Sequence, residues 1–403
     1  MAAILPFLEQ QDDPAETPEQ TDALTSRPGT VQGLGRAAAS ETESFVEASV
    51  NPDALDQSHS QLVFTAWQRN AIYEMLEKAT FTVRYGDKDG TQRRDVWLVL
   101  DKPVGAYIPE GAMAWSPPSN RKIGQARLLS WTSKMSAPSF SLPAGSSVIG
   151  GSCPGATAAQ SVNGLRVIRD TSKHVLDVLG RPVELDRAIC QHCYAEGGQY
   201  STANVQFYQV LRFAWATRAV RDGSFVDVMS YAVANADYKL KDERHPGRYF
   251  RIHDSGDFYS LEYLAAWREV AARFPDILFW APTRIWATKW GHRATEIMRP
   301  RPGVPDNLIL RPSAYHINEH VPSAAELGPG WAAGTTVFSD ASSDGGPSPK
   351  YAGMQQRVFD WDCGVYAIDN KKATCRNAIA PDNKKGCRAC WRFPDQVVNY
   401  TLH

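Results

Sequence analysis

Residues 248–284 read RYFRIHDSGDFYSLEYLAAWREVAARFPDILFWAPTR, and the fold is decided there. Tyr249–His253 is short, bulky and strand-like. Leu261–Phe274 carries Leu264, Trp267, Ala271 and Phe274 at steps of three, four and three, one stripe of an amphipathic helix. Ser260 suits its N-cap, although the capping-box pattern fits poorly. Pro275 ends the helix, and Ile277–Trp280 is a second strand. Strand, helix, strand in so few residues is the pattern of a parallel pair joined by a crossover.

The pattern extends both ways. A helix over Val205–Ala219 precedes it. A helix over roughly Ile285–Met298 follows, then strands Leu308–Leu310 and Thr336–Phe338. The predicted class is α/β: a partial (β/α) barrel or an open parallel sheet, with a small N-terminal α+β layer and a Cys-rich C-terminal extension. Residues 1–58 are expected to be a disordered acidic tail, with eleven acidic residues against two arginines and little apolar content. Residues 59–120 are expected to form the helix–hairpin layer. It comprises a helix over Phe64–Lys78 and strands Thr80–Tyr85 and Val96–Leu100, joined at Asp89-Gly90. Residues 121–345 would be the core and 346–403 a metal-binding segment.

Each core strand runs straight into polar residues. His253, Asp254, Ser255, Gly256 and Asp257 follow the first, Thr283 and Arg284 the second, Arg311 and Ser313 the third, and Ser339 and Asp340 the last. In parallel sheets ligands bind beyond the carboxyl ends of the strands. Asp254, Asp257 and Arg284 are therefore candidate catalytic groups. His253, Ser255, Gly256, Arg311 and Ser313 are candidates for binding substrate or cofactor. The competing reading is that turns are polar anyway and that His253 is a packed histidine.

The seven cysteines fall into two groups. Cys153, Cys190 and Cys193 form the first, ending in a C-x-x-C. Three thiolates suit a [4Fe–4S] cluster with one iron left open. With a fourth ligand such as His192 they suit zinc. A redox dithiol is the third possibility. Cys363, Cys375, Cys387 and Cys390 form the second group, with Lys371, Lys372, Arg376, Lys384, Lys385, Arg388 and Arg392 around it. Four thiolates match an all-cysteine site, and the basic residues would offset its charge or meet phosphate. Spacing does not separate zinc from iron–sulfur.

The formal net charge of −1 gives no global sign of a nucleic-acid or membrane surface. No apolar run is long enough to span a bilayer, and no secretory leader is read. A cytoplasmic protein is expected, in which paired cysteines are ligands or redox groups rather than disulfides. No phosphate-binding glycine loop and no serine-nucleophile elbow is present.

Several phrases resemble the gene-product-88-like family of bacteriophage proteins. They are Ser139-Phe-Ser-Leu-Pro-Ala-Gly145, Cys153-Pro-Gly-Ala156, Cys190-Gln-His-Cys-Tyr-Ala195, Phe250-Arg-Ile-His-Asp-Ser-Gly-Asp-Phe258 and Cys387-Arg-Ala-Cys-Trp391. Here about 30 extra residues, expected to loop out, separate the Cys-Pro phrase from the C-x-x-C-Tyr. The resemblance implies a phage or prophage origin, hence the host cytoplasm, and supplies no activity. The layout is also similar to radical S-adenosylmethionine enzymes, but the C-x3-C-x2-C loop of those enzymes is absent, so that similarity is architectural.

The leading expectation is an iron–sulfur protein with one or two [4Fe–4S] clusters, a radical or redox enzyme acting on a polar substrate, with S-adenosylmethionine as a candidate cosubstrate. The alternative is a Zn2+ protein whose basic C-terminal module binds nucleic acid or staples the fold.

Overall fold

A computed structural model describes residues 64, 66–86, 95–109, 125–132, 135, 137–145, 150–156, 161–162, 165–166, 189–196, 198–238, 248–288, 290–317, 321–338, 360–363, 375 and 387–401. The expected acidic tail, the Asp89-Gly90 turn, Ser339, Asp340 and the Lys371, Lys372, Lys384 and Lys385 cluster lie outside them.

The N-terminal layer is α1 (Ala66–Glu77), β1 (Phe81–Tyr85), β2 (Val96–Leu100) and β3 (Gln125–Arg127), with the strands antiparallel in that order. β4 (Ser130–Thr132) then turns back as an antiparallel partner of β5 (Ala137–Phe140). A small hairpin, β6 (Ser161–Val162) and β7 (Leu165–Arg166), lies in the stretch expected to loop out. The 20-residue α2 (Ala203–Asp222) follows. Thr202 caps it by accepting from Val205 N, and Gly223 ends it at φ 81°. That left-handed conformation suits glycine. α3 (Phe225–Ala234) packs behind it.

The strand–helix–strand unit is present as β8 (Arg248–Ile252), α4 (Leu261–Ala272) and β9 (Ile277–Thr283). Ser260 Oγ accepts from Tyr263 N at 3.1 Å, the expected cap. The helix expected over Ile285–Met298 is broken instead. A single 3-10 turn, Ile285–Ala287, precedes α5 (Gly291–Met298). Thr288 Oγ1 accepts from Trp290 N at 3.2 Å, a local bond that competes with helix propagation. β10 (Leu308–Pro312), α6 (Ala324–Leu327) and β11 (Thr335–Phe338) complete the series.

The main sheet has the order β10-β9-β8-β5-β4, and its first four strands are parallel. It does not close into a barrel among the described residues. β11 leaves it through bridges from Leu310 to Trp331 and from Ser313 to Thr335. It enters a second parallel sheet with β13 (Val398–Thr401) and β12 (Trp361–Asp362). The short α7 (Ala389–Arg392) precedes β13.

Both faces of the main sheet are covered, which explains its near-continuous apolar strands. Phe250, Ile252, Phe279, Ala281 and Leu310 face the helices and join the large core. Tyr249, Trp280 and Ile309 face the other way, onto Trp391, Val398, Cys375, Cys387 and Cys390. The chain's C-terminal segment thus lines what is here called the inner face.

A candidate thiol centre at the strand ends

The loops after β5, β8, β9 and β10 interlock. Leu142 N donates to Ser255 O at 3.0 Å, and Ser255 Oγ returns a bond to Leu142 O at 2.7 Å. Gly256 has φ 89°, and a Cβ there would sit 2.6 Å from Ser152 Oγ and 2.7 Å from Leu142 Cβ. Only glycine fits that crossing. Ser152 N and Oγ both bond Pro143 O, and Cys153 N donates to Gly145 O at 2.8 Å. These bonds fix Cys153 at the sheet edge. The C-x-x-C arrives from the other side, where Ile189 N donates to Tyr315 O at 2.8 Å.

Cys153 and the distant Cys190–Cys193 pair converge around Asp257 and Arg284. Burial raises the Cys153 thiol well above its usual range, and Asp257, Cys193 and Cys190 raise it further. Burial also raises Cys190, against the pull of the Arg284 guanidinium. Arg284 feels all three sulfurs and Asp257. Its Nε donates to Ala314 O at 2.8 Å.

Asp257 Oδ1 accepts from Thr283 Oγ1 at 2.5 Å and from Phe258 N at 2.7 Å, and Oδ2 accepts from Arg284 N at 2.8 Å. Burial raises its pKa against those bonds. A carboxylate has about four lone-pair sites, so most of this one's acceptor capacity is occupied. Among the described residues, no three His, Cys, Asp or Glu side chains lie close enough to share a single metal ion. The His192 side chain is outside the described residues.

The other expected site residues are more enclosed than a solvent-facing rim. His253 is 1% exposed, with φ 64°. Its Nε2 lies 3.0 Å from Tyr263 Oη, and its ring packs on Phe258. Ser313 is buried, its Oγ accepting from Thr335 Oγ1 at 3.0 Å. Arg311 is 0% exposed and bonds backbone carbonyls of the C-terminal segment. Asp254 is buried too, beside the exposed Tyr194. Its carbonyl accepts from Tyr194 Oη at 2.5 Å, and Tyr200 Oη reaches its carboxylate at 3.4 Å. Tyr194 is 50% exposed and follows Cys193 directly. Burial raises the Asp254 carboxyl, opposed by Arg251 and Arg212.

Tyr194, Tyr200 and Arg251 escaped the sequence reading. Arg251 Nη2 donates to Tyr194 Oη at 3.1 Å. The available signal was strand alternation, which puts a charge at Arg251 on the same face as Tyr249.

His253 gives a pH prediction. Burial first, then Arg251, lowers its pKa to about 3, against an ordinary value of 6.5. The depressed value means the folded protein prefers the neutral ring. This contribution is full above pH 6.5 and is lost as pH falls towards 3. The slope approaches about 1.4 kcal/mol per pH unit in that window. His253→Asn tolerates the left-handed backbone and does not titrate. Urea unfolding between pH 6.5 and 4 should therefore show a shallower decline for the variant. Parallel declines would refute the assignment.

A depression on the helical layer, lined by Ala219, Val220, Phe225 and Glu262, lies away from these thiols. No described helix is long and apolar enough to cross a membrane.

A family model described as Gene product 88 matches residues 114–393, more than two thirds of the chain. Gene 88 protein of Mycobacterium phage L5 is 38% identical over 96 residues, and that of Mycobacterium phage D29 is 36% identical over 95. Each alignment takes in 23% of this chain and 38% of the phage protein. No solved structure matches.

Proposed function

The chain belongs to the gene product 88 family, and from the geometry of this member we propose an iron–sulfur protein with its cluster on Cys153, Cys190 and Cys193. The convergence of these thiols at the carboxyl edge of parallel strands carries the reading. Three thiolates on a [4Fe–4S] cluster leave one iron without a protein ligand. Such a cluster supplies an electron and an open coordination position.

The environment favours this over closed zinc. A four-coordinate zinc site needs a fourth ligand and ligand atoms about 2.0–2.3 Å from one ion. Asp257 spends its oxygens on Thr283, Phe258 and Arg284. Cys190 and Cys193 both act electrostatically on Cys153, so the three sulfurs lie near one another. Arg284 would offset the cluster's negative charge, with Asp257 holding the Arg284 backbone in place.

A redox or radical reaction on a polar substrate is the proposed activity, with S-adenosylmethionine as the candidate cosubstrate. Tyr194, half exposed and next to Cys193, would mark the approach, and its hydroxyl and that of Tyr200 bond the buried Asp254. Strands β5, β8, β9 and β10 lie side by side in chain order, a layout that suits a partial (β/α) barrel. The nucleic-acid reading has less support, because Arg388 is turned inward over Tyr249 and Trp391.

The test is oxygen-free purification followed by iron, zinc and acid-labile sulfide analysis, for the unaltered chain and for Cys190→Ser/Cys193→Ser. The expected difference is about four irons and four sulfides per chain, with loss of absorbance near 400 nm that bleaches on reduction. Equal iron and sulfide in the two proteins, or zinc alone, would discard the reading.

A further inference from the structure

Three large hydrophobic side chains are exposed among the described residues, Tyr85, Trp131 and Tyr194. The first two lie on β1 and β4. Tyr194 stands at the thiol centre. It follows Cys193 in the chain and opens the 3-10 turn Tyr194–Glu196. Cys193 acts electrostatically on its phenol. We propose that Tyr194 is a stacking platform for a nucleobase-type ring, flat, polar and heteroaromatic. The inference deepens the proposed function. It rests on that reading for the chemistry beside Cys193, and not for the stacking.

The two ends of the side chain differ. The hydroxyl donates to Asp254 O at 2.5 Å and accepts from Arg251 Nη2 at 3.1 Å. Both partners are themselves held. Asp254 is 6% exposed, and Arg251 Nε donates to His253 O at 3.1 Å while its guanidinium lies over the Trp280 ring at 5.0 Å. Burial raises the phenol pKa, against the pull of Arg251, so the hydroxyl end is the enclosed one and stays a donor. The residue as a whole is nevertheless 50% exposed, so its open half is ring carbon. Tyr200 meets it in a T-shaped contact, 5.8 Å between centroids and 76° between planes. Among the described residues no ring is stacked parallel to it.

A ring anchored at its hydroxyl has given up its rotamer freedom before a ligand arrives, so little more is lost on stacking. The electron-rich face of a tyrosine pairs with flat rings in offset stacks. A polar substrate fits an apolar platform only where its polar groups lie at the edge of a flat ring. A nucleobase has that form, and base–aromatic stacking accepts every base. A single exposed ring is smaller than the apolar patches that dock proteins.

The test is saturation-transfer NMR on the protein purified without oxygen, with adenosine, guanosine, cytidine and thymidine in turn. At least one should bind, and Tyr194→Ala should weaken it by about 5- to 100-fold, the loss of one base stack. Tyr194→Phe breaks the same hydroxyl bonds but keeps the ring, so it should retain most of the affinity. The pair of variants thus separates stacking from damage to the loops. Binding of adenosine alone assigns the platform to the adenine of the cosubstrate, and binding of any other nucleoside assigns it to the substrate. Either result supports the proposal. No nucleoside binding, equal affinity for Tyr194→Ala and the unaltered chain, or Tyr194→Phe as weak as Tyr194→Ala overturns it. Iron and sulfide measured on the same samples judge the cluster separately. Base binding without iron leaves the platform standing, and iron without base binding leaves only the cluster.

Discussion

Arg311→Met is expected to lower the unfolding free energy by about 3–5 kcal/mol, the range for breaking a buried charged network. Methionine keeps most of the length and apolar stem, so the loss isolates the guanidinium. That group satisfies carbonyls from Ala333, Ala389, Cys390, Phe393 and Gln396 at once. Phe393 N and Gln396 N still donate to the Ala389 and Phe393 carbonyls, but Ala333 O, Cys390 O and Gln396 O lose the guanidinium, at roughly 1–3 kcal/mol for each that stays buried unsatisfied. Arg311→Lys should recover little. An ammonium has three donors on one atom and cannot span acceptors spread around a planar fork. Urea unfolding measures the effect, and limited proteolysis should cut within 389–401 first. A loss under about 1 kcal/mol, with the segment still protected, would show that Arg311 is not the brace.

Trp267→Ala should cost about as much, 3–5 kcal/mol, through a different cause. The indole is fully buried and lies between Phe225 and Phe250, at 5.6 Å from each ring, with Phe140 at 5.9 Å. Those rings come from α3, β8 and β5, so one side chain joins the helical layer to two strands. Alanine leaves a cavity that rigid strands cannot fill. Trp267→Phe should restore more than half of the loss, and equal unfolding curves for the two variants would refute the account. Because the site loops hang from β5 and β8, Trp267→Ala should also loosen the thiol centre.

The sequence made some elements legible and hid others for physical reasons. Val96–Leu100 is an unbroken apolar run, and β2 has those bounds. The stripe from Leu264 to Phe274 located α4, which stops at Ala272. β9 and β10 run past their predicted ends, through Pro282 to Thr283 and to Pro312. Proline reads locally as a stop. Pro282 lies beyond the last β8 pair, Arg251 with Trp280, and the extra length comes from pairing with β10. That is tertiary information. α3 was not read from the sequence, although its buried Phe225, Val228, Met229, Ala232 and Val233 recur at helical spacing.

The site was legible by residue type and not by exposure. The polar residues after each strand were found, but their inward bonding depends on which loops meet. Ser255 meets Leu142, and Asp257 meets Thr283, from separate crossovers. The gathering of Cys153 with the distant C-x-x-C depends on loops that local spacing does not encode.

The inner-face lining has a consequence for synthesis. β10 ends at Pro312, and the covering thiols begin their C-x-x-C at Cys387. The ribosome must add the intervening residues at about 5–20 per second, so several seconds or more pass after the parallel strands exist. During that interval Trp280, Ile309 and Tyr249 lack the cover of Trp391 and Val398. A nascent chain of this kind is a client for holdase chaperones. Pausing between codons 312 and 387 should therefore lower soluble yield more than the same pause placed before β5.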